Sequence, residues 1–173
     1  MTTYQLKSTD VPLNTKTKNK ELFGWVRFVL ILLAIFLLFR FGVAISIISG
    51  SSMEPTYQDG SVVISNTILF EPELQDIVIY SDNNGFDVIK RVIGTPGDTV
   101  EILQGTVLVN GVALEEGYTL GAADSMPMVK LAPDAYFLIG DHRTPGESYD
   151  SRSEEIGAFP LDAIKGEVLF SIN

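Results

Sequence analysis

The chain has 173 residues, which is enough for one domain of ordinary size with an appendage, and its formal net charge is −10. It contains no cysteine and a single histidine, His142, which excludes disulfides, thiolate metal sites, a cysteine nucleophile and a histidine-rich metal site. Residues 1–40 hold six basic and two acidic residues, whereas residues 41–173 hold six basic and twenty acidic ones. Because nucleic-acid binding needs a basic surface, the acidic body argues against a nucleic-acid partner.

The first predicted element is the apolar run of residues 22–48, which contains Arg27 and Arg40. Its uninterrupted core, residues 28–39, is only 12 residues long, but the apolar flanks extend it to about 20 residues, the length that spans a bilayer. The two arginines then lie near the ends, where long basic side chains reach the headgroups. We therefore predict a transmembrane helix over residues 21–43. A cleaved signal peptide is the alternative, although no small-x-small cleavage site follows the core.

The basic residues around this span predict its orientation. Four of them lie between residues 16 and 27, and after Arg40 the next basic residue is Lys90. The positive-inside rule therefore places the N-terminus in the cytoplasm and the rest of a single-pass plasma-membrane protein outside. Residues 1–20 are rich in Thr, Lys and Asn and are predicted to be a disordered cytoplasmic tail. Residues 44–173 then form the extracytoplasmic domain.

The extracytoplasmic domain is predicted to be mainly β, either a sandwich or a partly closed barrel. Its apolar runs are short, rich in Val, Ile, Phe and Tyr, and separated by turn residues, and no long helical period occurs among them. Two hairpin turns are predicted at Gln104-Gly105 and Asn110-Gly111. The polar segment 115–128 is predicted to be a mobile loop. The predicted strands are residues 43–48, 61–65, 76–80, 87–94, 99–103, 106–110, 135–140 and 167–172.

A serine nucleophile in this chain has two possible kinds of base. A Ser-His-Asp triad would have to use His142, whose neighbour Asp141 is too close in sequence to orient the ring well. Asp124, Asp134 or Asp150 could orient the ring only if the fold happened to bring one of them close. His142 is therefore interpreted as a loop residue. The other base is a lysine, which accepts a proton near neutral pH only when burial lowers its pKa. Of the three lysines beyond residue 20, only Lys90 has β-branched apolar residues on both faces of its strand, with Val88 and Val92 on its own face. An edge-strand lysine that discourages aggregation remains the structural alternative.

Three motifs follow the membrane segment in a fixed order: "SGSSMEPT", "IKRVIGTPGDTV" and "GDHRTPGESYDSR". Together they resemble the bacterial type I signal peptidases, in particular their compact single-span form. The resemblance covers the chain from the span to about residue 160. It implies a membrane-bound Ser-Lys protease that removes signal peptides from exported precursors. It also implies a requirement for neither metal nor cofactor.

The resemblance assigns roles to individual residues. The serine before Met-x-Pro-Thr, Ser52, corresponds to the nucleophile, and the lysine of the Lys-Arg pair, Lys90, corresponds to the base that the burial argument also selects. Ser148 corresponds to a serine that orients the lysine, with Ser151 as the rival because the spacer before Ser148 is about two residues longer than usual. The residues expected to shape the site are Asp141, Arg143, Asp150, Ser151 and Arg152.

Two further groups are implied by matching position. The oxyanion hole would use the Ser52 N–H, with the region of Gly50 in place of a serine hydroxyl found in some members. The substrate pocket would be lined by Ile48, Met53 and Ile89, although these residues are equally typical of a strand core. His142 stands where the family usually has asparagine.

The expected substrate is an extended precursor segment with small, Ala-x-Ala-like residues before the cut, bound by strand addition. The expected partners are signal-peptide-bearing precursors and the lipid bilayer, with no nucleic acid and no metal. Two alternative functions differ from this one in recognisable features. A self-cleaving repressor-type peptidase lacks the apolar segment and carries a DNA-binding part. A non-catalytic membrane-anchored β-domain would need neither Ser52 nor Lys90.

Overall fold

The computed structural model describes residue 1 and residues 15–68, 70–81 and 86–172, which form two units, Met1–Arg40 and Phe41–Asn173. Helix α1, Thr15–Gly42, lies mostly in the first unit, and an 18-residue window within its stretch Lys20–Gly42 has a mean hydropathy of 2.6. By length and composition, α1 is the one helix in the described ranges that could cross a membrane. The helix begins inside the segment expected to be disordered, and residues 2–14 of that segment lie outside the described residues.

The second unit consists of antiparallel strands in two sheets. The larger sheet has the strand order β1-β2-β11-β3-β4-β9-β10, and the smaller has the order β7-β6-β5-β8. Neither sheet closes into a barrel, so the mainly β prediction is confirmed in its open, two-sheet form. The strands are β1 Val43–Ile47, β2 Val62–Asn66, β3 Ile77–Ser81, β4 Asp87–Gly94, β5 Thr99–Leu103, β6 Thr106–Val109, β7 Val112–Ala113, β8 Met126–Lys130, β9 Ala135–Ile139, β10 Phe159–Pro160 and β11 Ile164–Ile172.

The two predicted hairpin turns are confirmed. Gln104 and Gly105 join β5 to β6, and Asn110 and Gly111 join β6 to β7. All four residues have positive φ angles, between 49° and 83°, which is the backbone twist that two-residue hairpins require. These turns fix the register of β5, β6 and β7 in the smaller sheet.

All eight predicted strands are present, with ends that differ by at most three residues, but the prediction of a mobile loop over residues 115–128 is wrong at its C-terminal end. Met126–Lys130 form β8, the edge strand that pairs with β5. Pro127 is tolerated there because an edge strand leaves one side of its backbone without ladder partners. The remainder of this segment runs across the second unit and hydrogen-bonds to residues 141 and 143.

Strand β4 lies inside the larger sheet and holds the predicted base. It pairs with β3 from Asp87 to Arg91, whereas β9 pairs with its second half, from Arg91 to Gly94. The first half, Asp87 to Lys90, therefore has one backbone edge without a strand partner among the described residues. Strand β1 is an edge strand of the same sheet and also has one edge without a strand partner in the described part of the chain.

Candidate active site

The loop between β1 and β2 brings Ser52 to the middle of strand β4. Lys90 Nζ lies 2.7 Å from Ser52 Oγ and donates a hydrogen bond to the Ile89 carbonyl oxygen at 3.0 Å. Within the described ranges, Lys90 is the only hydrogen-bonding partner of the Ser52 hydroxyl. A neutral amine at this distance can accept the serine proton directly.

The prediction that Lys90 is buried is confirmed, since only 2% of its surface is exposed. Val78 lies opposite it on β3 and is itself fully buried. Burial lowers the pKa of Lys90 to about 8, because the apolar surroundings disfavour the charged amine; Asp150 opposes this shift and Arg152 reinforces it. About a tenth of Lys90 is thus neutral at pH 7, and this fraction can act as a base.

Asp141 anchors the loop of residues 140–143, which we call the catalytic loop. Its carboxylate is fully buried and accepts two hydrogen bonds from Arg91, the residue that follows Lys90, and one from Thr56 at 2.5 Å. A bidentate pair of this kind is rigid because both groups are planar. The Asp141–Arg91 pair therefore ties the catalytic loop to both the Met-x-Pro-Thr segment and strand β4.

The catalytic loop also holds the main chain of Ser52. The His142 N–H donates to the Ser52 carbonyl oxygen at 3.0 Å. Gly140 packs so closely on this carbonyl that an added Cβ would lie 2.5 Å from its oxygen and would also meet the Ser148 side chain. Only glycine fits at position 140, because any side chain would displace Ser52 or Ser148.

Asp150 organises the third motif. It forms two hydrogen bonds of 2.8 Å with Arg152 and accepts the Gly140 N–H at 3.0 Å. Burial alone would raise the pKa of Asp150, but Arg152, the Gly140 N–H and the Ser148 hydroxyl together bring it below its ordinary value. Asp150 is therefore a carboxylate at neutral pH, and it forms the ion pair with Arg152 that the resemblance led us to expect.

The hydrogen bond expected between Ser148 and Lys90 does not occur among the described contacts. Ser148 Oγ instead donates to Asp150 Oδ2 at 2.6 Å, and Ser148 lies against Gly140 beside the Ser52 carbonyl. The rival Ser151 does not reach Lys90 either, because its hydroxyl accepts the Leu138 N–H at 2.9 Å and its own N–H pairs with Leu138. Both serines thus support the third motif.

The two candidate oxyanion donors differ in their availability. The Gly50 N–H donates to Asp59 Oδ1 at 2.8 Å, so this group is already engaged. The Ser52 N–H has no acceptor in the described part of the chain and is free to face a developing oxyanion. Of the two predicted contributors, the geometry therefore favours Ser52.

The three expected pocket residues lie in one apolar cluster, but they do not have equal roles. Ile48 and Ile89 line a cleft of about 110 Å³ that reaches Ser52. Met53 does not line this cleft and is fully buried, so it belongs to the core beneath. Ser46 and Asp87 also line the cleft and were missed by the sequence analysis.

His142 does not form a triad with Ser52. Its Nδ1 atom is buried without a hydrogen-bond partner among the described residues and lies 4.0 Å from Glu147 Oε2. The carboxylates of Asp141 and Asp150 are taken by Arg91 and Arg152. The interpretation of His142 as a loop residue, whose backbone rather than ring meets Ser52, fits this geometry.

The sequence matches the family model of signal peptidase, peptidase S26, over residues 22–172. It is 31% identical to signal peptidase I of Bacillus amyloliquefaciens over 172 residues, with 89% of each chain covered. It is 33% identical to signal peptidase IB of Staphylococcus aureus over 175 residues, covering 88% of this chain and 90% of that one. Probable signal peptidase I-2 of Synechocystis is 38% identical over 115 residues, which is 60% of this chain and 52% of that protein.

A solved structure is also similar to this chain. It is a signal peptidase I from Enterococcus faecalis, with 27% sequence identity and a TM-score of 0.49. The match covers 59% of this chain and 99% of that one.

Proposed function

The chain belongs to the signal peptidase family, peptidase S26, and is a signal-peptide-cleaving enzyme of the signal peptidase I class; from this premise we propose that Ser52 is its nucleophile and Lys90 its general base. The observation that carries the proposal is the 2.7 Å distance between Lys90 Nζ and Ser52 Oγ, with Lys90 buried. Membership of an enzyme family sets aside the alternative of a non-catalytic β-domain.

In the proposed reaction, neutral Lys90 takes the proton of the Ser52 hydroxyl while Oγ attacks the scissile carbonyl carbon. The resulting oxyanion faces the Ser52 N–H. The Lys90 ammonium then gives its proton to the leaving amine, the scissile C–N bond breaks, and the signal peptide remains as an ester on Ser52. A water molecule, deprotonated by Lys90, hydrolyses this ester and restores the free hydroxyl. Asp150 and Arg152 lie close enough to influence the charge of Lys90 throughout.

The precursor is proposed to bind as an extended strand in the cleft beside Ser52. The free edges of β1 and of the first half of β4 offer backbone partners, and alternate side chains of an added strand would point into the cleft. The cleft volume of about 110 Å³ is smaller than the cavity of about 150 Å³ that accepts benzene, so it suits small side chains such as alanine. Ile48 and Ile89 are proposed to set this limit, which gives an Ala-x-Ala-like specificity.

The enzyme is proposed to be anchored by α1 with its N-terminus in the cytoplasm, because the basic residues cluster before the apolar span. A second feature supports a location at the membrane surface. On one face of the larger sheet, β1, β2 and β11 align two rows of apolar side chains, most of them well exposed. The first row is Ile45, Ile64 and Phe170, and the second is Ile47, Val62 and Ile172.

We propose that this apolar face contacts the outer lipid surface. Strand β1 begins at Val43, directly after the last residue of α1, so the chain enters this face as it leaves the proposed span. Such a contact would hold Ser52 near the point where the end of a signal peptide emerges from the bilayer.

The test of the nucleophile is cleavage of an Ala-x-Ala precursor by the full chain and by Ser52→Ala. We expect Ser52→Ala to lose activity, whereas Ser51→Ala, the matched change at the neighbouring serine, should keep it. Cleavage that survives in Ser52→Ala and disappears in Ser51→Ala would contradict the assignment.

A further inference from the structure

The segment between β7 and β8 crosses the catalytic loop instead of extending into solvent. We call residues 116–120 the strap. The Leu120 N–H donates to the Asp141 carbonyl at 3.0 Å, and the Arg143 N–H donates to the Leu120 carbonyl at 2.7 Å. These two bonds form a parallel bridge centred on His142. The strap therefore pairs with the backbone of the loop that holds the Ser52 carbonyl.

An ion pair reinforces this backbone pairing. Glu116 accepts two hydrogen bonds from Arg143, at 2.9 and 2.6 Å, and the two side chains are only 11% and 3% exposed. Arg143 Nε donates to the Gly140 carbonyl at 2.8 Å, so the same guanidinium braces the loop from within. Because a buried arginine without a carboxylate partner is strongly unfavourable, Glu116 is what allows Arg143 to hold this position.

Tyr118 links the strap to Arg91, the arginine that holds Asp141 of the catalytic loop. The centroid of its ring lies 3.9 Å from the Arg91 guanidinium carbon, and its hydroxyl donates to Glu116 Oε1 at 3.2 Å. Arg91 is the residue that pairs with Asp141 and directly follows Lys90. The strap thus covers both arginines that fix the catalytic loop.

We propose that Glu116 and Tyr118 are positioning residues, which set the place of Ser52 through the catalytic loop. Glu116 holds Arg143, and Tyr118 packs on Arg91, which pairs with Asp141. The catalytic loop, fixed by these two arginines, donates the His142 N–H to the Ser52 carbonyl. This inference rests on the proposed role of Ser52. The strap does not line the cleft beside Ser52, so it acts on the reacting group rather than on substrate binding.

The test compares Glu116→Gln with Glu115→Gln in the full chain, using steady-state and single-turnover cleavage of an Ala-x-Ala precursor. Glu115→Gln is the matched control, because Glu115 is the exposed neighbour and its side chain has no described partner. Since small displacements of a catalytic group can reduce rates about 100-fold, we expect kcat of Glu116→Gln to fall by about 10- to 100-fold. Its KM should stay within about twofold of the unchanged protein, and Glu115→Gln should keep both constants.

Two further variants make the result decisive. Tyr118→Leu removes the ring but leaves Arg91 paired with Asp141, and we expect kcat to fall by about 3- to 10-fold. Glu116→Asp restores the charge with a shorter reach and should recover part of the rate lost in Glu116→Gln. If Glu116→Gln does not fold at the assay temperature, the kcat and KM of Tyr118→Leu decide instead: a lower kcat at unchanged KM supports the positioning role.

A kcat within twofold of the unchanged protein in the folded variants, even with a lower melting temperature, would overturn the positioning role. A raised KM at unchanged kcat would overturn it as well. These failures are distinct from failure of the proposed function, which would appear as cleavage by Ser52→Ala. Loss of cleavage in Ser52→Ala with normal kcat in Glu116→Gln and Tyr118→Leu would overturn the positioning role alone.

Discussion

Replacing Lys90 by methionine is expected to stabilise the fold at neutral pH while it removes activity. Methionine has a similar length and no charge, so it can fill the same apolar site. In the folded chain, burial lowers the pKa of Lys90 from its ordinary value of 10.5 to about 8. Below pH 8 the lysine is protonated in both the folded and the unfolded states, and the folded state carries the full penalty of the buried charge.

The size of this penalty follows from the two pKa values. At about 1.4 kcal/mol for each pH unit, the difference between 10.5 and about 8 corresponds to about 3 kcal/mol at pH 7. Between pH 8 and 10.5 the unfolded chain binds more protons than the folded one, so the stability of the unchanged protein rises with pH. At pH 9.5 the remaining penalty is about 1 kcal/mol. Methionine also loses the hydrogen bonds to Ser52 and Ile89, about 1 kcal/mol each, at either pH.

The assay is urea unfolding of the full chain and of Lys90→Met in detergent, followed by circular dichroism at pH 7 and 9.5. We expect the unfolding free energy of Lys90→Met, relative to the unchanged protein, to fall by about 2 kcal/mol between the two pH values. Groups other than Lys90 titrate equally in both proteins and cancel in this difference. A relative stability that does not change with pH would refute the lowered pKa of Lys90.

Other predictions concern the site and the proposed membrane face. The kcat/KM for precursor cleavage should rise with pH and level off above about pH 8, because only neutral Lys90 accepts the proton, and a flat profile from pH 6 to 9 would contradict this. Gly140→Ala places a methyl group against the Ser52 carbonyl and should lower kcat about 100-fold; an unchanged kcat would show that the loop can move aside. Asp141→Asn leaves Arg91 without its buried carboxylate and should lower the unfolding free energy at pH 7 by about 3 kcal/mol in urea titrations. Phe170→Glu on the apolar face should slow cleavage of a vesicle-embedded precursor several-fold but not that of a short soluble peptide; equal rates on both would contradict the lipid contact.

The strands that could be predicted from the sequence are those whose own residue types indicate a buried strand. Strands such as β4 and β5 are rich in β-branched residues and end at glycine-containing turns, so their pattern is local. Strand β8 was missed because its sequence contains Pro127 and two methionines, and only pairing with β5 makes it a strand. Edge strands depend on such tertiary contacts more than on their own propensity.

In the candidate site, too, the residues identified by local sequence could be predicted, and those identified by distant contacts could not. Lys90 could be selected because the apolar residues around it are its neighbours in sequence, and Ser52 followed from a contiguous motif. The roles of Glu116 and Tyr118 could not be predicted, because their partners are distant in sequence. Arg143 lies 27 residues after Glu116, and Arg91 lies 27 residues before Tyr118. Contacts between distant loops depend on how the sheets fold, and no local period or spacing encodes them.

The place of Ser148 shows a further limit of motif reasoning. Its position in the third motif suggested a hydrogen bond to Lys90, but the hydroxyl donates to Asp150 two residues later. A motif fixes which residues are near the site, whereas the rotamer and the nearest charged acceptor decide which bond forms.

The most direct test of the Ser52–Lys90 mechanism is the single-turnover rate of precursor cleavage by Lys90→Ala and His142→Ala, measured beside the full unchanged chain. Lys90 is the proposed base and lies within reach of Ser52 Oγ, whereas the described contact of His142 with Ser52 is made by its backbone N–H. We expect Lys90→Ala to lose at least about 1,000-fold in rate, because a general base contributes up to about 10⁴-fold, and His142→Ala to stay within about tenfold. Full cleavage by Lys90→Ala, with loss of cleavage in His142→Ala, would contradict the account.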